Sequence, residues 1–139
     1  MTMINTYLNF NGNCREAMTF YKECLGGELA LNPVAGSPVA EHMPPEAQQN
    51  ILHACLTSGN MVLMASDMMG PEGITKGNTM ALMLQCSSEE EINRFFNSLS
   101  AGGYVDHPLA DSFWGSKFAH FIDKFGMTWM LNYEKTPQA

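Results

Sequence analysis

The sequence predicts an α+β fold built from two βαβββ modules, and three observations point there. The chain repeats itself at an interval of about 76 residues: the apolar run from Ile4 to Phe10, a helix containing Phe20 and the pair Gly26-Gly27 are answered by Met80 to Cys86, a helix containing Phe96 and Gly102-Gly103. Each repeat holds one stretch of helical periodicity with start and stop signals. Three short strand-like segments then follow each helix. A duplication of this size implies two small modules that complete a core together, with any site in the groove between them.

The first helix is announced by Asn13 with Glu16 three residues on, a pattern in which side chains satisfy the unpaired N–H groups of a first turn. Cys14, Ala17, Met18, Tyr21, Cys24 and Leu25 recur at helical spacing as its buried face. Gly26-Gly27 ends it, because glycine takes positive φ at little cost. The second helix repeats the logic, with Ser87 or Ser88 as cap, Glu90 or Glu91 as the reciprocal acid, Ile92, Phe95, Phe96 and Leu99 as the apolar stripe, and Gly102-Gly103 as the stop.

Strands are expected from Glu28 to Val34, Ile51 to Ser58 and Met61 to Ser66, then from Tyr104 to Leu109, Lys117 to Ile122 and Thr128 to Tyr133. Gly59-Asn60 reads as a tight hairpin turn, and Lys124-Phe125-Gly126 does the same job in the second half. The segment from Ala35 to Asn50 is long for a connection; it is read as a lid, a dimer arm or a mobile surface loop. Asp67 to Lys76 is the expected linker. The chain is therefore read as one domain, 1–139, with module one at 1–70 and module two at 77–135.

Composition narrows the function classes. Apolar residues make up 45% and charged residues 15% of the chain, an ordinary globular balance with a quiet surface. The formal charge of −7, with only seven Lys and Arg, argues against nucleic acid and against anionic membranes. No run of about 18 apolar residues occurs, and the first residues lack a secretory signal, so a cytoplasmic protein is expected. Cys14, Cys24, Cys55 and Cys86 have no C-x-x-C spacing and are read as reduced, half-buried thiols.

Several stretches carry a resemblance: Tyr7-Leu8-Asn9-Phe10-Asn11-Gly12, Glu16-Ala17-Met18-Thr19-Phe20-Tyr21, Ser66-Asp67, Phe113-Trp114-Gly115 and Asp123-Lys124-Phe125-Gly126-Met127-Thr128-Trp129. Nearly end to end, the chain resembles the PhnB-like (3-demethylubiquinone-9 3-methyltransferase-like) proteins of the glyoxalase, bleomycin-resistance and extradiol-dioxygenase (vicinal oxygen chelate) superfamily. That resemblance implies paired βαβββ modules whose eight strands curl into a U-shaped cleft, and a homodimer. It also implies that metal-dependent relatives carry His and Glu ligands on the inner face of the first and last strands of each module, where a divalent ion polarises a substrate oxygen.

Strand parity tests those positions. Leu8 and Phe10 are expected against the helix, leaving Tyr7 and Asn9 inside; Met80, Leu82 and Leu84 outward, leaving Thr79 and Ala81 inside; Trp129 and Leu131 outward, leaving Thr128, Met130 and Asn132 inside. Leu63 is taken as the counterpart of Met130. The ligand positions then read Tyr7, Leu63, Thr79 and Met130, which is no donor set for a hard or borderline cation, so no metal and no cofactor are expected. Tyr7, Asn9, Leu63, Thr79, Met130 and Asn132, with Trp114 closing one wall, are the expected lining, suited to an uncharged or aromatic small molecule. Met61, Met64, Met68, Met69, Met80, Met83 and Met127 near strand positions are read either as core or as further lining.

Three residues are candidates for proton transfer. His53 shares a strand face with Cys55; His120 lies near Asp123, a carboxylate that either orients it or caps the D-x-x-G turn; Tyr7 is the third. His42 and His107 sit in or near loops. Two readings follow: a metal-independent small-molecule-binding protein, or a lyase, isomerase or transferase working in the same cleft. Methyl transfer is not expected, since both Gly-Gly pairs follow helices where a nucleotide-type cofactor needs a glycine-rich turn that opens one.

Overall fold

A computed structural model describes residues 2–67, 73–113 and 115–135. The chain divides into two compact units, Met1–Thr75 and Lys76–Ala139. The first unit runs β1 (Thr6–Asn9), α1 (Cys14–Leu25), β2 (Glu28–Pro33), β3 (Ile51–Ser58) and β4 (Met61–Ser66). The second runs β5 (Leu82–Gln85), α2 (Glu89–Leu99), β6 (Tyr104–Asp111), β7 (Ser116–Ile122) and β8 (Thr128–Glu134). Each unit is a four-stranded sheet with one helix, ordered β1-β4-β3-β2 and β5-β8-β7-β6, so the expected α+β pair of βαβββ modules is what forms.

In each unit the first strand lies parallel to the last, and the two remaining pairings are antiparallel hairpin-type contacts. A parallel pair cannot be closed by a tight turn, which is why the helix and two strands intervene. Helix α1 packs on β2, β3 and β4 and buries the six residues its periodicity selects, Cys14, Ala17, Met18, Tyr21, Cys24 and Leu25. Helix α2 packs on β8 and buries Ile92, Phe95 and Leu99, while Phe96 sets its ring edge-on to Phe121 at 5.8 Å between centroids. Strand alternation supplies the other half of each core: Leu8, Ala54, Leu56, Leu63 and Ala65 in the first unit, Ala119, Phe121, Trp129 and Leu131 in the second. Withdrawing side chains as large as Leu56 or Leu131 from water stabilises by about 1.5–3 kcal/mol each.

The two helices begin differently. In α2, Ser88 Oγ accepts from Glu91 N at 3.1 Å and Glu91 Oε1 accepts from Ser87 N at 3.0 Å, the reciprocal cap the sequence predicts. In α1 the expected cap does not form, because the Asn13 side chain makes no capping bond. Asp67, 53 residues downstream of Cys14, takes over: its Oδ1 accepts from Gly12 N at 2.8 Å and Cys14 N at 3.0 Å, and its Oδ2 accepts from Ile51 N at 2.8 Å. A buried carboxylate thus ties the start of α1 to the start of β3.

The segment from Ala35 to Asn50 is folded back on itself. Val34 N donates to Asn50 O, Ala35 N donates to Gln48 O, and Gln48 Nε2 bridges Ala40 O and Met43 O across two short 3-10 turns, Ala40–His42 and Pro45–Ala47. All four cysteines are free; Cys14, Cys24 and Cys86 are buried and Cys55 half-buried. Burial, assisted by the nearby Asp67 charge, pushes the Cys14 thiol up to about 12, and burial with Glu91 pushes Cys86 up to about 11. Both are therefore thiols, not thiolates, at neutral pH. Among the described residues no helix is long and apolar enough to cross a membrane.

Candidate functional site

The helix covers one face of each sheet; the residues of chemical interest lie on the other. In the first unit the strand register sets Tyr7 beside Met64, Met64 beside Cys55, and Cys55 beside Ala30, with His53 beside Asn32 at the next position. Tyr7 is 48% exposed, and its hydroxyl lies 3.4 Å from His53 Nδ1 with the rings 5.9 Å apart. Asn9 is exposed two residues along the same face of β1. Tyr7 and His53, two of the three proton-transfer candidates, are thus brought together.

Leu63 is not on that face. It pairs with Thr6 and Leu56, is only 8% exposed, and belongs to the helix-side core; Met64 stands where Leu63 was expected. The two hairpins are not equivalent: from its closing pair Ser58–Met61 the first reaches the partner of β1 three residues on, at Met64, and from Ile122–Thr128 the second reaches the partner of β5 two residues on, at Met130. Thr79 is corrected too. Strand β5 starts at Leu82, so Thr79 is exposed outside the sheet, and Met83 is the residue that pairs with Met130 as Tyr7 pairs with Met64. Met80, expected against the helix, is 81% exposed.

In the second unit the face turned from α2 carries Met83 and Gln85 from β5, Thr128, Met130 and Asn132 from β8, and Phe118, His120 and Ile122 from β7. Asn132 is buried, and its Nδ2 donates to Gln85 Oε1 at 3.2 Å, so its amide is already committed to a neighbouring strand. Met130 is half-buried between Met83 and His120. Trp114 lies outside the described residues, as do Met68 and Met69.

His120 is oriented, but by a different carboxylate from the one the sequence suggested. Its Nδ1 lies 2.6 Å from Asp106 Oδ1. Asp123 is instead the turn cap: Oδ1 accepts from Phe125 N at 2.8 Å and Met127 N at 3.1 Å, and Oδ2 accepts from Trp129 Nε1 at 2.8 Å. The hydrogen bond from His120 holds the Asp106 carboxyl below the usual carboxylate range. Asp106 escaped sequence reasoning because Val105-Asp106-His107-Pro108 gives no sign of which face the aspartate takes.

The strand positions that carry metal ligands in the resemblance read, after correction, Tyr7, Met64, Met83 and Met130. A phenol and three thioethers do not fit a hard or borderline divalent ion. Among the described residues no three His, Cys, Asp or Glu side chains are grouped to hold a metal ion.

Two βαβββ units, each with first and last strands parallel, define the glyoxalase/bleomycin-resistance class of fold; a glyoxalase/bleomycin resistance protein/dioxygenase family enzyme from Burkholderia phytofirmans PsJN shares it at 14% identity and a TM-score of 0.60, covering 92% of this chain and 96% of that one. Within that class the chain belongs to the family described as 3-demethylubiquinone-9 3-methyltransferase, which it matches over residues 2–132. It is 33% identical over 141 residues to protein YjdN of Escherichia coli (strain K12), covering 95% of both. Protein PA1353 from Pseudomonas aeruginosa is 40% identical in structure-based comparison, with a TM-score of 0.84 over 96% of this chain and 98% of that one. A putative 3-demethylubiquinone-9 3-methyltransferase, PhnB protein, from Bacillus cereus is 26% identical, with a TM-score of 0.72 over 95% and 99%.

Proposed function

We propose that this PhnB-like chain binds a small, uncharged or aromatic molecule, without a resident divalent metal, on the sheet faces turned away from the helices. The supporting observation is the chemistry of those faces: Tyr7, Asn9, Met64, Met83 and Met130 offer an aromatic ring, flexible thioethers and an amide, with no fixed charge that would demand an anion. Trp114 stays in the proposed lining on the sequence alone. A second reading, a lyase, isomerase or transferase, is favoured by the approach of Tyr7 Oη to His53 Nδ1 and by the oriented His120. Methyl transfer from a nucleotide-type cofactor is not part of the proposal, since Gly26-Gly27 and Gly102-Gly103 follow their helices.

The test is titration with 4-nitroanisole, an uncharged aromatic probe. The parent should bind it saturably. Met130→Glu sets a carboxylate against an apolar probe and should weaken binding about tenfold, since the charge must be desolvated or neutralised. Tyr7→Ala should weaken it similarly, and Glu28→Ala, on an exposed position of β2, should not. Binding of equal strength by all four proteins would remove both Tyr7 and Met130 from the binding faces of their units.

We read the assembly as a cytoplasmic homodimer. Free cysteines suit a reducing compartment. Among the described residues both sheets end on strands with no further strand beside them, and Ile4, Met80, Tyr104 and Phe113 leave large apolar side chains exposed. Light scattering at micromolar concentration should return twice the chain mass; a single chain per particle would overturn the dimer.

A further inference from the structure

Strand β6 is the edge of the second sheet, and its pairing with β7 slips between Val105 and His107 and again between His107 and Ala110. Val105 pairs with Phe121 and His107 with His120, which leaves Asp106 as the extra residue of a bulge. A bulge sets two residues against one and re-aims their side chains. Asp106 and His107 consequently both confront His120: Asp106 Oδ1 reaches its Nδ1 at 2.6 Å, and the His107 ring stands edge-on to Phe118 at 5.3 Å, on the same strand face as His120.

The geometry fixes where the proton sits. A carboxylate only accepts, so Nδ1 of His120 carries the hydrogen and the lone pair of the neutral ring is on Nε2. Among the described residues Nε2 makes no hydrogen bond. The side chains are 31% and 43% exposed for His120 and Asp106, so a ligand can reach the ring. The groups facing it from β6 that titrate are Asp106 and His107; β8 brings Thr128, Met130 and Asn132, none of which does. Nε2 of His120 is therefore set among Met130, Phe118 and Ile122, with the His107 ring beside Phe118.

We propose that Asp106 and His120 form a proton-accepting pair that selects small aromatic molecules bearing an acidic hydroxyl. The ligand O–H bond breaks with its electron pair left on oxygen, the proton bonds to Nε2 of His120, and the Asp106 carboxylate stabilises the imidazolium that results. Asp106 is the positioning residue and His120 the group that meets the ligand. The proposal rests on the reading that these sheet faces bind small aromatic molecules, and it narrows that class to phenols.

The experiment uses the full chain with two probes at about pH 7, where an ordinary imidazole is mostly neutral and able to accept a proton, 4-nitrophenol and its methyl ether 4-nitroanisole. Bound to the parent, nitrophenol should show more of the visible absorption of the nitrophenolate than the free probe does at that pH. Asp106→Asn and His120→Gln should remove that added absorption and weaken nitrophenol about tenfold more than they weaken nitroanisole, because a charge-assisted hydrogen bond open only to the hydroxyl is lost. Asp106→Glu should restore part of the signal. Nitrophenol bound without added phenolate absorption, or an Asp106→Asn protein indistinguishable from the parent, overturns the pair while leaving the binding reading intact. If neither probe binds, both fall. If nitrophenol alone binds, as phenolate, the pair stands and the aromatic class is confined to molecules with an acidic hydroxyl.

Discussion

Replacing Asp67 by alanine is expected to lower folding stability by about 3–5 kcal/mol, since it strips acceptors from three N–H groups and each buried donor left unsatisfied costs about 1–3 kcal/mol. The donors are Gly12 N, Cys14 N and Ile51 N, all within 3.0 Å of the carboxylate. Asp67 is 7% exposed, so little water is at hand to replace it. Against a total of about 5–15 kcal/mol for a domain, a loss of that size moves a urea unfolding midpoint far. Asp67→Asn keeps one acceptor oxygen and should fall between. Asp111, exposed and paired with Lys135, is the comparison: Asp111→Ala should leave the midpoint nearly unmoved. A shift for Asp67→Ala no larger than that for Asp111→Ala would show that α1 does not depend on the carboxylate.

The second large loss is expected at a position the repeat presents twice. A Cβ on Gly27 would stand 2.2 Å from Thr57 O and 2.6 Å from Ser58 Cβ; one on Gly103 would stand 2.1 Å from Ile122 O and 2.9 Å from Asp123 Cα. Those are mostly backbone atoms at the ends of β3 and β7, which cannot step aside as a flexible side chain does. Alanine at either site should cost about 2–4 kcal/mol and lower Tm accordingly. Gly26 separates the two reasons a glycine can be needed. Its φ of +78° resembles the +93° of Gly27, but nothing lies within 4 Å of its Cβ direction, so Gly26→Ala should cost only about 1–2 kcal/mol. Equal losses at Gly26 and Gly27 would mean that backbone conformation matters and the close approach does not.

Local signals were readable in the sequence and distant ones were not. The six buried residues of α1, the cap of α2, and β3 and β4 to the residue all follow from periodicity, capping chemistry and a Gly-Asn turn, which act within a few residues. The Gly-Gly pairs were legible as helix stops but not as contacts with β3 and β7. Likewise Asn13 looks like a cap from its neighbours, and only the folded chain brings Asp67 to do the work. The candidate site suffers most, because it depends on register. A register offset of one residue between the two hairpins puts Met64 rather than Leu63 beside Tyr7, and a bulge that no pattern announces turned Asp106 onto His120.

The two ways of starting a helix imply an order of events when the chain folds. Ser87, Ser88 and Glu91 lie within five residues, so α2 has its whole nucleus aboard as soon as that stretch exists. Helix α1 lacks this, for its first turn stays unsatisfied until residues 14 and 67 meet across a loop of 53. Closing a loop of that length carries an entropic penalty that must be met before the contact returns anything. The second unit can therefore nucleate from the inside, whereas the first must wait for its last strand.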